Sequence, residues 1–240
     1  MSGHTGRFSS AVIGENNRGY AAVIPDIKCI SPKEGDLLRG RDPVETAKYL
    51  AGCGAPVLSV VTERERFGGS PELLRDIVKN VGIPVLRKDF ITHEHMLEET
   101  AELGAAAVLL ICALTDEKNL RLLYEKSIKL GLEPFVEVCT AAEMETAKKL
   151  DARLLGINNR NITALETDNG DVSRTVALAA NAPPGALLVS ESGILLPGDV
   201  KLAVSAGANA VLVGTALWRA DDMGLTYRSL RVEIPAVNVM

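Results

Sequence analysis

The sequence predicts an α/β protein, a single closed (β/α)8 barrel, and three observations carry that expectation. Eight short apolar runs rich in β-branched residues alternate with amphipathic segments rich in Ala, Leu, Glu and Lys, the signature of repeated βα units. The 240 residues match the length that such a barrel uses as one domain. The first strand run ends in Asp26-Ile27-Lys28, without the Gly-rich turn that opens many doubly wound sheets.

The elements follow in order. Residues 1–21 are polar and rich in Gly, Ser and Asn; they read as a flexible lead-in and lack the apolar stretch of a signal peptide. The first strand run covers 23–27. The helix at 43–51 begins behind Asp42-Pro43, a capping side chain followed by a proline at the first helical position, and stops at Gly52 and Gly54. A strand at 56–61 precedes a helix at 72–80, closed by Gly82. The strand at 84–86 feeds a helix at 96–103 that ends at Gly104. The strand at 105–111 leads to a helix at 117–130, with Thr115 ahead of Asp116 as its start and Gly131 as its stop. Leu120, Leu123, Ser127 and Leu130 share one face of that helix. After the strand at 133–138, Thr140 and Glu143 form a capping-box pattern for the helix at 141–150. Strands at 153–157, 186–189 and 208–213 and helices at 172–180 and 199–206 complete the alternation.

Composition bounds the partners. The formal charge of −5 argues against a nucleic-acid scaffold or a binder of anionic membranes. It leaves room for a small anionic substrate in a locally positive pocket. No apolar stretch has the length of a membrane span. The four cysteines, Cys29, Cys53, Cys112 and Cys139, form no C-x-x-C pair. They read as free thiols of a reducing cytoplasm, with neither a metal site nor a disulfide framework.

A barrel carries its chemistry at the C-terminal ends of its strands, and here those ends are polar. They present Asp26 and Lys28, Thr62-Glu63, Lys88, Glu137, Asn158-Asn159-Arg160, Ser190-Glu191-Ser192-Gly193 and Gly214-Thr215. Lysines and carboxylates converging on one mouth are the equipment of acid–base work on an anionic substrate. Lys88 closes the run Ile83-Pro84-Val85-Leu86-Arg87 beside Phe90. An apolar wall there is expected to lower its pKa toward that of a working proton donor, against the alternative of a solvated strand end. Glycines beside a Ser or Thr after the last two strands, Ser192-Gly193 and Gly214-Thr215, read as a phosphate cradle of backbone N–H groups.

These motifs resemble one family. Ile27-Lys28 with Ser31-Pro32, Thr62-Glu63 with Phe67-Gly68-Gly69-Ser70, Leu86-Arg87-Lys88-Asp89-Phe90, Val136-Glu137-Val138, Gly156-Ile157-Asn158-Asn159-Arg160-Asn161 and Ser190-Glu191-Ser192-Gly193 are similar, strand by strand, to the indole-3-glycerol phosphate synthases. The resemblance implies ring closure, decarboxylation and dehydration of 1-(2-carboxyphenylamino)-1-deoxyribulose 5-phosphate, without cofactor or metal, by a cytoplasmic monomer or homodimer. By position, it gives Lys88 the role of general acid in ring closure and Glu137 that of acid/base in dehydration. Lys28 would hold the substrate carboxylate and phosphate. Asn158, Arg160, Glu191 and Ser192 would order the sugar chain and the catalytic groups. Ser31, Gly193, Gly214 and Thr215 would form the phosphate cradle, and Phe67, Phe90 and Pro32 would flank the anthranilate ring.

Three departures stand against that pattern. Asp26 replaces a catalytic glutamate, Lys33 replaces the second serine of Ser-Pro-Ser, and the lead-in is shorter than the family's segment with its extra helix over the mouth. The shorter Asp26 predicts a weakened synthase that Asp26→Glu would improve. The departures leave two other readings open: a weakly active phosphate-binding barrel kept as a partner subunit, and a barrel acting on another ribulose phosphate.

Overall fold

A computed structural model describes residues 6–160 and 171–234; Asn161 lies outside them. Eight parallel strands close into a barrel. They are β1 (Ala22–Ile27), β2 (Leu58–Val61), β3 (Val85–Lys88), β4 (Ala107–Ile111), β5 (Glu133–Val138), β6 (Leu154–Asn158), β7 (Leu187–Glu191) and β8 (Ala210–Val213). Each pairs with the next, and β8 returns to β1 with Ile24 opposite Leu212. All eight strand runs read from the sequence are present, with ends shifted by up to two residues.

Alternation along the strands divides the side chains between two cores. Ile24, Leu86, Leu109, Phe135, Val189 and Leu212 fill the barrel interior. Val23, Val60, Val108, Val136 and Leu188 pack outward against the helices α2 (Pro43–Gly52), α3 (Pro71–Asn80), α4 (Glu94–Glu102), α5 (Glu117–Lys129), α6 (Ala141–Lys149), α7 (Ser173–Leu178) and α8 (Pro197–Ser205), numbered after an N-terminal α1. The helix starts are chemically capped. Asp42 accepts from the N–H groups of Val44 and Glu45, and Ser70 accepts from Leu73. At α5 the cap is Asp116 rather than Thr115, accepting from Asn119 N–H at 2.8 Å. At α6 Thr140 accepts from Glu143 N–H, but the Glu143 carboxylate returns to Cys139 N–H rather than to Thr140.

The expected flexible lead-in is instead a helix, α1 (Arg7–Asn17). Phe8 and Val12, one turn apart, are fully buried among the interior residues of the barrel. The Glu133 carboxylate, at the first residue of β5, accepts from the N–H groups of Phe8 at 2.6 Å and Ser9 at 3.1 Å. A carboxylate on the unsatisfied donors of a helix start fixes its position and complements its dipole. The helix therefore plugs the end of the barrel opposite the strand C-termini. Two further helices follow β8, α9 (Thr215–Arg219) and α10 (Met223–Leu230), and a short hairpin (Ile30–Ser31 with Gly35–Asp36) follows β1; the alternation of textures did not reveal any of the three.

Candidate active site

The mouth of the barrel opens into three adjoining chambers. The first, of about 640 Å³ including its open entrance, is lined by Asp26, Lys28, Phe67, Lys88, Phe90, Glu137, Asn158, Arg160 and Ser192, among others. The second shares Asp26, Lys28, Lys88, Arg160 and Ser192 and adds Glu191, Gly193, Gly214 and Thr215. The third joins Ser31 and Lys33 to Arg160 and Thr215. Residues from all eight strand ends, Ile111 of β4 included, thus meet in one place. Pro32 is the exception: expected beside an aromatic ring, it is exposed at the turn of the hairpin and lines none of these chambers.

Lys88 stands at the centre. Its ammonium donates to Glu191 Oε2 at 2.7 Å and to Glu137 Oε2 at 3.2 Å. Both carboxylates are almost wholly buried, at 1% and 3% exposure, so the lysine is their counter-ion in a low-dielectric setting. The sequence-based expectation of a lowered lysine pKa is overturned here. Burial opposes the charge, but Glu191, Glu137 and Asp26 outweigh it and hold Lys88 well above the ordinary lysine range. The aromatic wall is present, yet three carboxylates decide the balance.

Burial pushes the Glu191 carboxyl up to about 7, against the pull of Lys88 and with the repulsion of Glu137 and Asp26. One of its oxygens, Oε1, is buried without a hydrogen-bond partner among the described residues, which leaves its charge only half compensated. The folded state therefore holds a proton on Glu191 between its ordinary pKa of 4.5 and about 7, where the unfolded chain has released it. Stability from this group is lost as pH rises through that window. Glu191→Gln is expected to shift its Tm, relative to the parent, upward between pH 5 and pH 8; a pH-independent difference would show that Glu191 titrates normally.

The aromatic end of the first chamber is built by the loop after β2. Phe67 and Phe90 meet at 6.5 Å between ring centroids with a 60° tilt. The Lys28 ammonium lies 5.6 Å from the centre of the Phe67 ring, and Arg66 covers the outer face of Phe90 at 5.3 Å. Glu63, a strand-end carboxylate in the sequence, turns back on its own loop and accepts from the N–H groups of Glu65, Arg66 and Phe67. Gly69 permits that loop to lie against β2, because a Cβ there would stand 2.1 Å from the Val61 carbonyl oxygen. At the other end, Ser192 and Gly193 both adopt positive φ, 65° and 72°, and turn the chain sharply beside Gly214.

Several supporting residues carry no role in the sequence reading. Asn159 Nδ2 donates to Ser190 Oγ and to the carbonyls of Glu191 and Ser192, each at 3.0 Å. Its Oδ1 accepts from Thr175 N–H and hydroxyl. One buried amide therefore ties β6, β7 and α7 and holds the strained Ser192 turn. Arg87, directly before Lys88, is 2% exposed and bonds Thr62, Asp89, Glu99 and Thr100 behind the sheet. The doubled Asn and the Arg-Lys-Asp triplet were the available signals; what hid them was that each neighbour faces the opposite side of the strand. All four cysteines are free, Cys29 and Cys112 buried and the other two half-buried. Burial pushes the Cys112 thiol up to about 12 and the Cys139 thiol to about 11, so neither is a ready nucleophile.

Comparison with known proteins agrees with this geometry. The family model described as indole-3-glycerol phosphate synthase matches residues 4–230. The indole-3-glycerol phosphate synthase of Pyrococcus furiosus is 44% identical over 200 residues, covering 83% of this chain and 87% of that protein. The enzyme of the same name from Carboxydothermus hydrogenoformans is 42% identical over 214 residues, covering 89% and 80%. Among solved structures, orotidine 5'-phosphate decarboxylase from Pyrococcus horikoshii superposes with a TM-score of 0.65 at 13% identity, over 87% of this chain and 96% of that one; the likeness is one of barrel fold. The chain belongs to the indole-3-glycerol phosphate synthase family.

Proposed function

We propose that this chain is a working indole-3-glycerol phosphate synthase, a carbon–carbon lyase that converts 1-(2-carboxyphenylamino)-1-deoxyribulose 5-phosphate to indole-3-glycerol phosphate, carbon dioxide and water. The observation that carries the reading is the single ammonium, Lys88, shared by two buried carboxylates at the edge of an aromatic-walled chamber. The anthranilate ring packs against the wall that Phe67 and Phe90 form together, and the ribulose chain runs past Lys88 toward Gly193, Gly214 and Thr215, where the phosphate sits. Lys28, Arg160 and Ser31 supply charge and hydrogen bonds along that path. The reading places the enzyme in the cytoplasm, where its four thiols stay reduced.

The chemistry follows from the charges. The ring carbon bearing the carboxylate attacks the substrate ketone, and negative charge grows on the ketone oxygen. Lys88 gives that oxygen a proton as the bond forms. Its raised pKa suits it to this step: it stays charged at neutral pH, and only an oxygen as basic as a forming alkoxide takes the proton. The iminium produced by closure accepts the electron pair released as carbon dioxide leaves. Glu137 then serves the dehydration, moving the proton that lets the hydroxyl depart as water. Glu191 and Asp26 hold Lys88 charged between turnovers.

Incubation with the synthetic substrate while following indole fluorescence tests the reading; no fluorescent product at any enzyme concentration would defeat it. The phosphate end is testable separately. Crystals grown in sulfate are expected to hold the anion against Gly193 and Gly214. An empty cradle with sulfate bound elsewhere would remove that part of the assignment.

A further inference from the structure

Strand β2 reads Leu58-Ser59-Val60-Val61, and its one polar residue is wholly buried. Leu58 and Val60 pack outward in the helix-facing core, whereas Val57 belongs to the interior core and Val61 to the first chamber. Ser59 therefore points into the barrel, one layer beneath the mouth. A hydroxyl there costs free energy unless it is bonded. Its bond goes to Asp26, with Ser59 Oγ donating to Oδ1 at 2.7 Å. The two residues are register partners on adjacent strands.

Asp26 is held at two further points. The buried Trp218 indole N–H, from α9, donates to its backbone carbonyl at 2.8 Å. Gly214 closes over the carboxylate, with an added Cβ falling 3.4 Å from Asp26 Cβ and 3.5 Å from Oδ2. Trp218 is itself fixed by Arg41, which stacks on the indole at 5.2 Å and donates to the Trp218 carbonyl. Asp26 lines two of the three chambers, and its charge acts on both Lys88 and Glu191. A carboxylate on one methylene has two torsions to fix. Strand and indole fix the backbone, and Ser59 bonds the carboxylate itself.

We propose that Ser59 is a positioning residue for the reaction: its hydroxyl orients the Asp26 carboxylate toward the lysine–carboxylate cluster, so that serine and aspartate form one matched pair. This rests on the synthase reading above. It reverses the expectation for Asp26→Glu, because an added methylene must break the bond to Ser59 or push against Gly214.

The test uses the full chain and three variants. Ser59→Ala is expected to lower kcat on the order of tenfold, the scale of one hydrogen bond to a charged group, with KM changed less than about twofold. Ser59→Cys, similar in volume but a weak donor, is expected to lose as much as Ser59→Ala, which separates the bond from packing. Asp26→Glu is expected to lower kcat/KM. Crystal structures of the serine variants are expected to show the Asp26 carboxylate rotated away from its parental plane. Parental kcat in Ser59→Ala, full activity in Ser59→Cys, a rise in kcat/KM for Asp26→Glu, or an unmoved Asp26 in the variant crystals would each overturn the proposal. Failure of the parent itself to form indole-3-glycerol phosphate would defeat the synthase reading instead, and the crystals would still decide whether Asp26 depends on Ser59.

Discussion

Lys88→Ala is expected to remain folded and to lose at least about a hundredfold in turnover, the usual scale for a positioned acid. Three points set that size. In the proposed mechanism the lysine supplies the proton at the ketone oxygen. It is the cation bonded at 2.7 Å and 3.2 Å to two buried carboxylates. And it lines both the aromatic chamber and the phosphate-end chamber, so its loss removes the group that both halves of the substrate adjoin. Truncation leaves Glu137 and Glu191 facing each other without it. Two like charges in that setting relieve themselves by protonation of one, and Glu191, already pushed up to about 7, is the one that takes the proton. The fold survives for that reason, and circular dichroism should show parental helix and strand content. Lys88→Arg should keep the charge without restoring the rate, because the larger planar guanidinium cannot place a proton where the compact ammonium sits between its two carboxylates. A Lys88→Ala enzyme with near-parental kcat would return Lys88 to the role of a structural counter-ion.

The barrel was legible because its signals are local and repeated. The strand runs are largely apolar on both faces, as a strand covered inside and out must be, and most helices carry their own stop. The site was legible as positions, since strand ends are where polar residues have to emerge. Its electrostatics were not. Lys88 reads in sequence as a lysine beside Phe90, and its pKa was expected to fall; the two carboxylates that reverse the shift lie 49 and 103 residues away. The same distance problem hid α1. Phe8 and Val12 are a thin apolar stripe in a polar segment, and Glu133, which satisfies the helix start, is brought close by the closed barrel. Pro32 failed in the opposite direction: a short hairpin turned a motif residue outward to solvent. Ser59 escaped notice because a lone serine in an apolar strand carries no pattern.

Gly156→Ala is expected to injure both fold and chemistry, and it shows how little room the cluster has. Gly156 sits in the middle of β6, paired with Glu137 on one side and Val189 on the other. A Cβ at that point would stand 2.1 Å from Glu191 Oε1 and 2.4 Å from Phe135 Cε1, far inside contact distance. Neither neighbour can yield cheaply. Phe135 is fully buried in the interior core, and Glu191 is anchored through its other oxygen to Lys88. Overpacking of this kind costs about 1–3 kcal/mol, which in a domain of this size lowers Tm by several degrees. The larger effect is on rate. If Glu191 is the group that moves, the lysine it holds moves with it, and a displacement of about 1 Å in a catalytic group can cost on the order of a hundredfold. The expected result is a folded, less stable enzyme with kcat reduced on the order of a hundredfold and a crystal structure in which the Lys88–Glu191 bond has lengthened or broken. A variant that loses Tm but keeps parental kcat would show that Phe135 alone gives way, and that the glycine serves the packing of the barrel rather than the placement of its acid.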